Sequence, residues 1–273
     1  MPTARLTNVS LEYLQRGHGP ERVLFIHGFQ ASARIWSLVQ DRLPEERYTS
    51  IAINNRGAGR SDAPPAESDF SIQHFAADAA ELVTQLGWRD FTLVGHSLGG
   101  PTSVQFAVDH PELLKALVLL DPADPDGRIV PGGEAGATAA IDQIMAARAR
   151  QLVNGSAGDG IDAKGSAAPA ELVAALSRDM RAAPERRLRG SLRSMFDVRL
   201  GEGLGALKLP VLLCGGDADA LVSIESMVST WRKCPPGSGL HIWHGVGHSP
   251  NLDQPDEFTA LLRNFIEVTL RKP

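Results

Sequence analysis

Phe91-Thr92-Leu93-Val94-Gly95-His96-Ser97-Leu98-Gly99-Gly100 is the stretch that decides the reading of this chain. An apolar run rich in strand formers stops at a glycine. Behind it, Pro101-Thr102-Ser103-Val104-Gln105-Phe106-Ala107-Val108 carries a helical pattern. Glycines two before and two after Ser97 let strand and helix approach closely, and the sharp turn between them projects the hydroxyl from the sheet. Ser97 is therefore the candidate nucleophile.

The flanking segments repeat the alternation. Upstream, Val9-Ser10-Leu11-Glu12-Tyr13-Leu14 alternates apolar and polar as a half-buried strand does, and Arg22-Val23-Leu24-Phe25-Ile26 and Thr49-Ser50-Ile51-Ala52-Ile53 are continuous apolar runs. Ser32 precedes a helix bearing Ile35, Trp36, Val39 and Leu43, and Ser71 precedes one bearing Phe75, Ala79, Leu82, Val83 and Leu86, stopped by Gly87. The loop Asn54-Asn55-Arg56-Gly57-Ala58-Gly59-Arg60-Ser61-Asp62 has neither G-x-G-x-x-G nor a P-loop ending and reads as a structural turn. Downstream, Lys115 to Leu120, Pro210 to Cys214 and Leu240 to Trp243 are further strands, with helices on Ile224-Met227-Val228-Trp231 and on Phe258-Leu261-Leu262-Phe265-Ile266. Strand–helix alternation predicts a mostly parallel sheet covered on both faces.

From Ala123 to Leu207 the strand runs vanish and Ala, Gly, Arg and Asp dominate. Helices are expected over Ala139 to Val153, Pro169 to Met180 and Glu185 to Phe196, with flexible joints at Gly155 to Gly160 and at Gly201-Glu202-Gly203. The expected division is a core of residues 1–122 and 208–273 with a helical cap at 123–207. Arg181, Arg186, Arg187, Arg189 and Arg193 read as a solvated helix face within that cap.

Composition bounds the partners. With 273 residues, 43% of them hydrophobic, the chain suits one large α/β domain with an insertion. A net charge of −5 without long runs of either sign gives no basis for binding nucleic acid or an anionic membrane. No apolar run approaches bilayer length and the N-terminus has no signal-peptide pattern. Cys214 and Cys234 form neither a disulfide framework nor a metal-ligand spacing, so the cytoplasm is the expected compartment, with no metal and no cofactor. A small-molecule substrate is the expected partner, and a homodimer stays open.

A serine hydroxyl needs a general base, and a carboxylate should orient that base. Of eight histidines, His248 lies in a loop after a strand, between Gly247 and Ser249, where it can reach the top of the sheet. Asp121, Asp217 and Asp219 all sit at or past strand ends, where open α/β sheets place their sites, and each satisfies the chain order serine, acid, histidine. The N–H of Leu98, at the helix start, is one candidate oxyanion donor, and the N–H of Phe29 in His27-Gly28-Phe29 is the second.

Together these stretches resemble the α/β-hydrolase superfamily over almost the whole chain outside the insertion. His27-Gly28-Phe29 is similar to its oxyanion loop, Asn55-Arg56-Gly57-Ala58-Gly59-Arg60-Ser61 to its D-x-R-G-x-G-x-S turn with asparagine for aspartate, and Gly95 to Gly99 to its nucleophile elbow. Gly216 to Val222 resembles the acid loop, which selects Asp219, and Gly247 to Pro255 the histidine loop. The resemblance implies about eight strands with a cap after the sixth; Asp121 is the reserve acid, since some members carry the acid there. A serine nucleophile departs from the haloalkane dehalogenases and most epoxide hydrolases of the superfamily, and Gly100 after Gly99 and the short oxyanion loop resemble those of small-molecule esterases, lactonases and carbon–carbon bond hydrolases. The expected activity is hydrolysis of an ester or lactone of a small, largely apolar molecule through an acyl-enzyme on Ser97. Cleavage of a vinylogous diketone, perhydrolase or haloperoxidase-like chemistry, and a ligand-binding receptor that keeps the fold are the alternatives.

Overall fold

The computed structural model describes residues 1–153 and 168–270. Eight strands form one sheet: β1 (Thr3–Arg5), β2 (Ser10–Gly17), β3 (Glu21–Ile26), β4 (Tyr48–Ile53), β5 (Phe91–His96), β6 (Leu114–Leu120), β7 (Val211–Gly216) and β8 (Gly239–Trp243). Their spatial order is β1-β2-β4-β3-β5-β6-β7-β8. β1 and β2 pair antiparallel, as do β2 and β4; every other neighbour is parallel. All six residues of β5 are buried, as expected for a central strand covered on both faces. The three-residue edge strand β1 is too short to show a period and was not expected.

Helices α1 (Ser37–Gln40), α2 (Ile72–Gln85), α3 (Gly99–Asp109), α8 (Ile224–Lys233), α9 (Pro250–Asp253) and α10 (Pro255–Leu270) flank the sheet. They divide the interior into two apolar layers. One joins α2 and α3 to the sheet through Phe75, Leu82, Phe91 and Phe106. The other joins the segment around Trp36 to α10 through Phe25, Trp36, Phe258 and Leu262. Trp36 is fully buried, with ring centroids 4.8 Å from Phe25 and 6.0 Å from Phe258.

The chain leaves β3 toward β4 on one side and crosses to β5 on the other, so the strand order reverses between β3 and β5. Sheets of this kind hold their ligands outside the carboxyl ends at that reversal. Here Ile26 stands opposite Gly95, which puts the loop after β3 beside the turn after β5.

Between β6 and β7 lie α4 (Gly133–Val153), α5 (Ala170–Ala182), α6 (Glu185–Asp197) and α7 (Gly201–Ala206). The first three agree with the expected helices. The joint expected at Gly201-Glu202-Gly203 is instead the start of α7: Gly201 N–H donates to Asp126 Oδ1 at 2.7 Å, and buried Leu200 and Leu204 anchor the turn, overriding the weak helix propensity of glycine. The other joint, Gly155 to Gly160, lies outside the described residues. Ala137 and Ile141 of α4 pack on Leu192 and Phe196 of α6, whereas Leu176 and Met180 of α5 join the layer around Trp36. No helix among the described residues is long and apolar enough to cross a membrane.

The arginine cluster is not a solvated face. Arg187 is buried and donates to the carbonyls of Phe29 (3.1 Å) and Ala31 (3.4 Å). Arg186 donates to Ala63 and Pro64 carbonyls, Arg189 pairs with Asp142, Arg193 reaches Thr138 Oγ1, and exposed Arg181 reaches the Leu152 carbonyl. A periodic pattern of charge shows a polar stripe; it does not show that backbone carbonyls of the core loops face that stripe.

Candidate active site

The turn after β5 has the backbone that an exposed serine requires. Ser97 has φ of 54°, one of only three non-glycine residues described with positive φ. The flanking glycines are forced by contact: a Cβ on Gly95 would lie 2.1 Å from Gly99 O, and one on Gly99 would lie 2.4 Å from Ile26 O. Leu98 is the N-cap of α3, so its N–H is at the positive end of that helix.

His248, in the loop after β8, brings Nδ1 to 2.6 Å from Asp219 Oδ2. Asp219, in the loop after β7, also accepts the N–H groups of Leu221 (2.7 Å) and Val222 (3.1 Å) on Oδ1. Burial pushes its carboxyl up, but the His248 hydrogen bond and the two N–H groups outweigh burial and hold it below the ordinary aspartate value. Asp217 does something else. It binds His244 Nδ1 at 2.7 Å and Gly245 N–H at 2.6 Å, closing the loops after β7 and β8 on each other, and the His244 bond lowers its pKa. Asp121 ends β6 fully buried, and its carboxyl lies within 4.8 Å of ligand-type atoms of both Asp219 and His248. His248 makes its hydrogen bond to Asp219.

Two histidines not singled out in the sequence organise this site. His96 Nε2–H donates to the His248 carbonyl at 2.7 Å, with the two rings 4.8 Å apart, fixing the histidine loop beside Ser97. His27 Nε2 accepts the Asn55 N–H at 3.1 Å, which leaves the proton on Nδ1 to donate to Gly28 O at 2.7 Å. Burial pushes both imidazoles down to about 3, with a second contribution from Arg187 at His27 and from His248 at His96. Both are neutral structural groups at neutral pH. Arg187, pushed down to about 10 by burial and the charge of Arg148, holds the loop after β3 from the side of α6. Gly28 packs so tightly that a Cβ there would lie 2.9 Å from Ser97 Cβ and 3.1 Å from His96 Nδ1. The N–H groups of Phe29 and Leu98 donate to nothing among the described residues.

The turn at Asn54 to Asp62 is structural, as expected. Buried Arg56 pairs with Asp78 at 2.6 and 2.7 Å, and Asn54 Oδ1 accepts the Ala33 N–H at 2.7 Å. The loop therefore pins α2 and the segment after β3, with its charged groups occupied.

Ser97, His248, Gly28, Phe29 and Ser249 line one cavity of about 590 Å³, within the range of small-molecule sites. Helices α4 to α6 supply Ile144, Met180, Leu192 and Phe196 to its wall, and its fully charged members are Asp124, Arg128 and Arg148.

A nucleophile-type turn at the strand reversal, a buried histidine–carboxylate pair and a small apolar cavity define a class of α/β enzymes. Residues 21–255 match the family described as alpha/beta hydrolase fold. An uncharacterised protein of Mycobacterium tuberculosis is 30% identical over 276 residues, covering 93% of this chain and 77% of that protein. Among solved structures, the bromoperoxidase of Bacillus anthracis superposes with a TM-score of 0.82 at 22% identity, covering 97% of this chain and 99% of its own. An esterase of Exiguobacterium antarcticum superposes with a TM-score of 0.80 at 23% identity, covering 95% and 96%. The chain belongs to the alpha/beta hydrolase fold family and is a hydrolase.

Proposed function

We propose that this hydrolase cleaves an ester or lactone of a small, largely apolar molecule through an acyl-enzyme on Ser97. The observation that carries the reading is the convergence of Ser97 and the His248–Asp219 pair on a cavity walled mainly by apolar side chains. His248 takes the proton of Ser97 Oγ as that oxygen bonds to the carbonyl carbon, and the Asp219 carboxylate steadies the imidazolium. The carbonyl electron pair moves to oxygen, which faces the N–H groups of Phe29 and Leu98. As the pair returns, the bond to the leaving oxygen breaks and His248 delivers its proton there. Water then attacks the acyl-enzyme, giving its proton to His248, and Ser97 Oγ leaves with that proton.

Residues 123–207 act in this reading as the cap that selects the substrate, because their helices form much of the cavity wall. Two free cysteines suit the cytoplasm. A panel of esters, lactones and ring-cleavage diketones assayed with wild type and Ser97→Ala tests the proposal. Ester or lactone turnover that disappears in Ser97→Ala is the expected result. Turnover confined to diketones would move the reaction to a carbon–carbon bond, and melting shifts without turnover would favour a receptor.

A further inference from the structure

Asp121 is a buried carboxyl that the mechanism does not use. It sits where β6 ends, at φ of 40°, with its N–H bonded to Cys214 O at 2.8 Å. That backbone turns the side chain against the end of β7, where Gly215 makes room for it: a Cβ at Gly215 would lie 2.2 Å from Asp121 Oδ1. Oδ1 accepts the Gly216 N–H at 3.0 Å. Oδ2 is buried and receives no donor among the described residues, and the carboxyl lies within 4.8 Å of that of Asp219.

Two carboxylates this close in a dry site cannot both ionise, so one carries a proton. The donors decide which. Asp219 accepts three, from His248, Leu221 and Val222, whereas Asp121 accepts only the Gly216 N–H. The other titratable groups facing Asp121 reinforce the assignment. Asp253, near the end of α9, disfavours further negative charge, and Cys214 on β7 is a thiol held un-ionised by burial. No cation pairs with Asp121 among the described residues. His248, whose ring lies within 4.8 Å of the carboxyl, is already bound to Asp219.

We propose that Asp121 is a neutral carboxylic acid whose Oδ2–H donates to the Asp219 carboxylate and holds it in line with His248. Asp121 is thus a positioning residue, acting on the site only through Asp219. It keeps its proton throughout the cycle. The Asp–Asp–His group then carries a single negative charge to balance the imidazolium that forms during turnover. Its burial as a neutral acid, which pushes its pKa well above the ordinary aspartate value, agrees with the geometry. The inference rests on the triad reading above.

Asp121→Asn, compared with Asp121→Leu in the intact protein, tests it. Asn keeps an acceptor for Gly216 and a donor for Asp219 without a charge, so kcat and the acidic limb of the kcat/KM profile stay within about twofold of wild type. Leu removes the donor, and kcat falls about tenfold or more at unchanged KM. Infrared spectroscopy at pH 8 should show a protonated carboxyl band in wild type that Asp121→Asn abolishes. Stability gives an independent sign. Asp121 is ionised in the unfolded chain above its ordinary value but neutral when folded, so wild type loses stability as pH rises and Asp121→Asn does not. The melting-temperature advantage of Asp121→Asn should therefore widen from pH 4 to pH 8. An acidic limb displaced by about one pH unit in Asp121→Asn, no such infrared band, or full kcat in Asp121→Leu would each overturn the inference. If Asp121→Leu fails to fold, the Asn profile and the infrared band still decide. Turnover that survives Asp219→Asn would instead overturn the triad reading.

Discussion

Gly28→Ala tests the close approach of the loop after β3 to the turn that carries Ser97. The methyl group would stand 2.9 Å from Ser97 Cβ, 3.1 Å from His96 Nδ1 and 3.5 Å from His96 O. None of these neighbours is the free end of a flexible side chain. Ser97 is locked by its left-handed backbone, and His96 is held by its bond to the His248 carbonyl. The loop after β3 must therefore move, by roughly 0.5–1 Å to restore ordinary carbon–carbon separation. It is tethered behind by the His27–Asn55 bond and by Arg187 on the Phe29 carbonyl, so the shift falls on the peptide that carries the Phe29 N–H. A displacement of that size at a catalytic group costs about 10²-fold, as does loss of one oxyanion donor. The fold should lose only about 1–3 kcal/mol from overpacking. Steady-state kinetics on the best ester of the panel, with urea denaturation, separates the two effects: kcat down about 10²-fold, KM within a few-fold and a cooperative transition retained. A variant with kcat within twofold of wild type would refute the reasoning, because Phe29 could not then be a donor held in place by Gly28.

Three other substitutions address separate parts of the account. Asp219→Asn, which removes the charge that steadies His248 but nearly keeps the shape, should lower kcat roughly 10⁴-fold at similar melting temperature; a loss below about tenfold would reassign the acid. His96→Gln probes pH: the buried imidazole binds a proton near pH 6.5 in the unfolded chain but resists to about 3 when folded, so the stability present above pH 6.5 is lost as pH falls toward 3. Denaturation at pH 7 and pH 5 should show a stability loss about 2 kcal/mol smaller in His96→Gln than in wild type; equal losses would contradict a neutral His96. Trp36→Ala empties a fully buried site between Phe25 and Phe258 and should cost about 3–5 kcal/mol in urea denaturation, with an effect under 1 kcal/mol arguing against that packing.

The parts of the molecule that were legible in the sequence are those encoded locally. A strand, a glycine-bounded turn and a helix within about twenty residues place Ser97 and Leu98, and loops just past the carboxyl ends of β3, β7 and β8 place Phe29, Asp219 and His248. The edge strand β1 escaped because three residues carry no period. The helix at Gly201 to Ala206 escaped because Asp126, 75 positions earlier, holds its first N–H. Arg187 reads as one charge among five, since nothing near it in sequence reveals that the Phe29 carbonyl, 158 positions away, accepts its hydrogen bond. His96 escaped because its partner is the His248 carbonyl, 152 positions downstream. Asp121 could be read as an alternative acid, but only the sheet, which sets β6 beside β7, brings it against Asp219. Burial and long-range polar contacts are properties of the folded chain, and they account for the misses at Arg187, His96, Asp121 and the Gly201 helix.

The central claim is a covalent acyl-enzyme on Ser97, and trapping tests it most directly. Folded wild-type protein treated with a serine-directed phosphonate and mapped by peptide mass spectrometry should carry one label, on Ser97, with the label lost in Ser97→Ala and slowed in Asp219→Asn. Folded, ester-active protein with no label on Ser97, or with the label on another residue, would contradict the account.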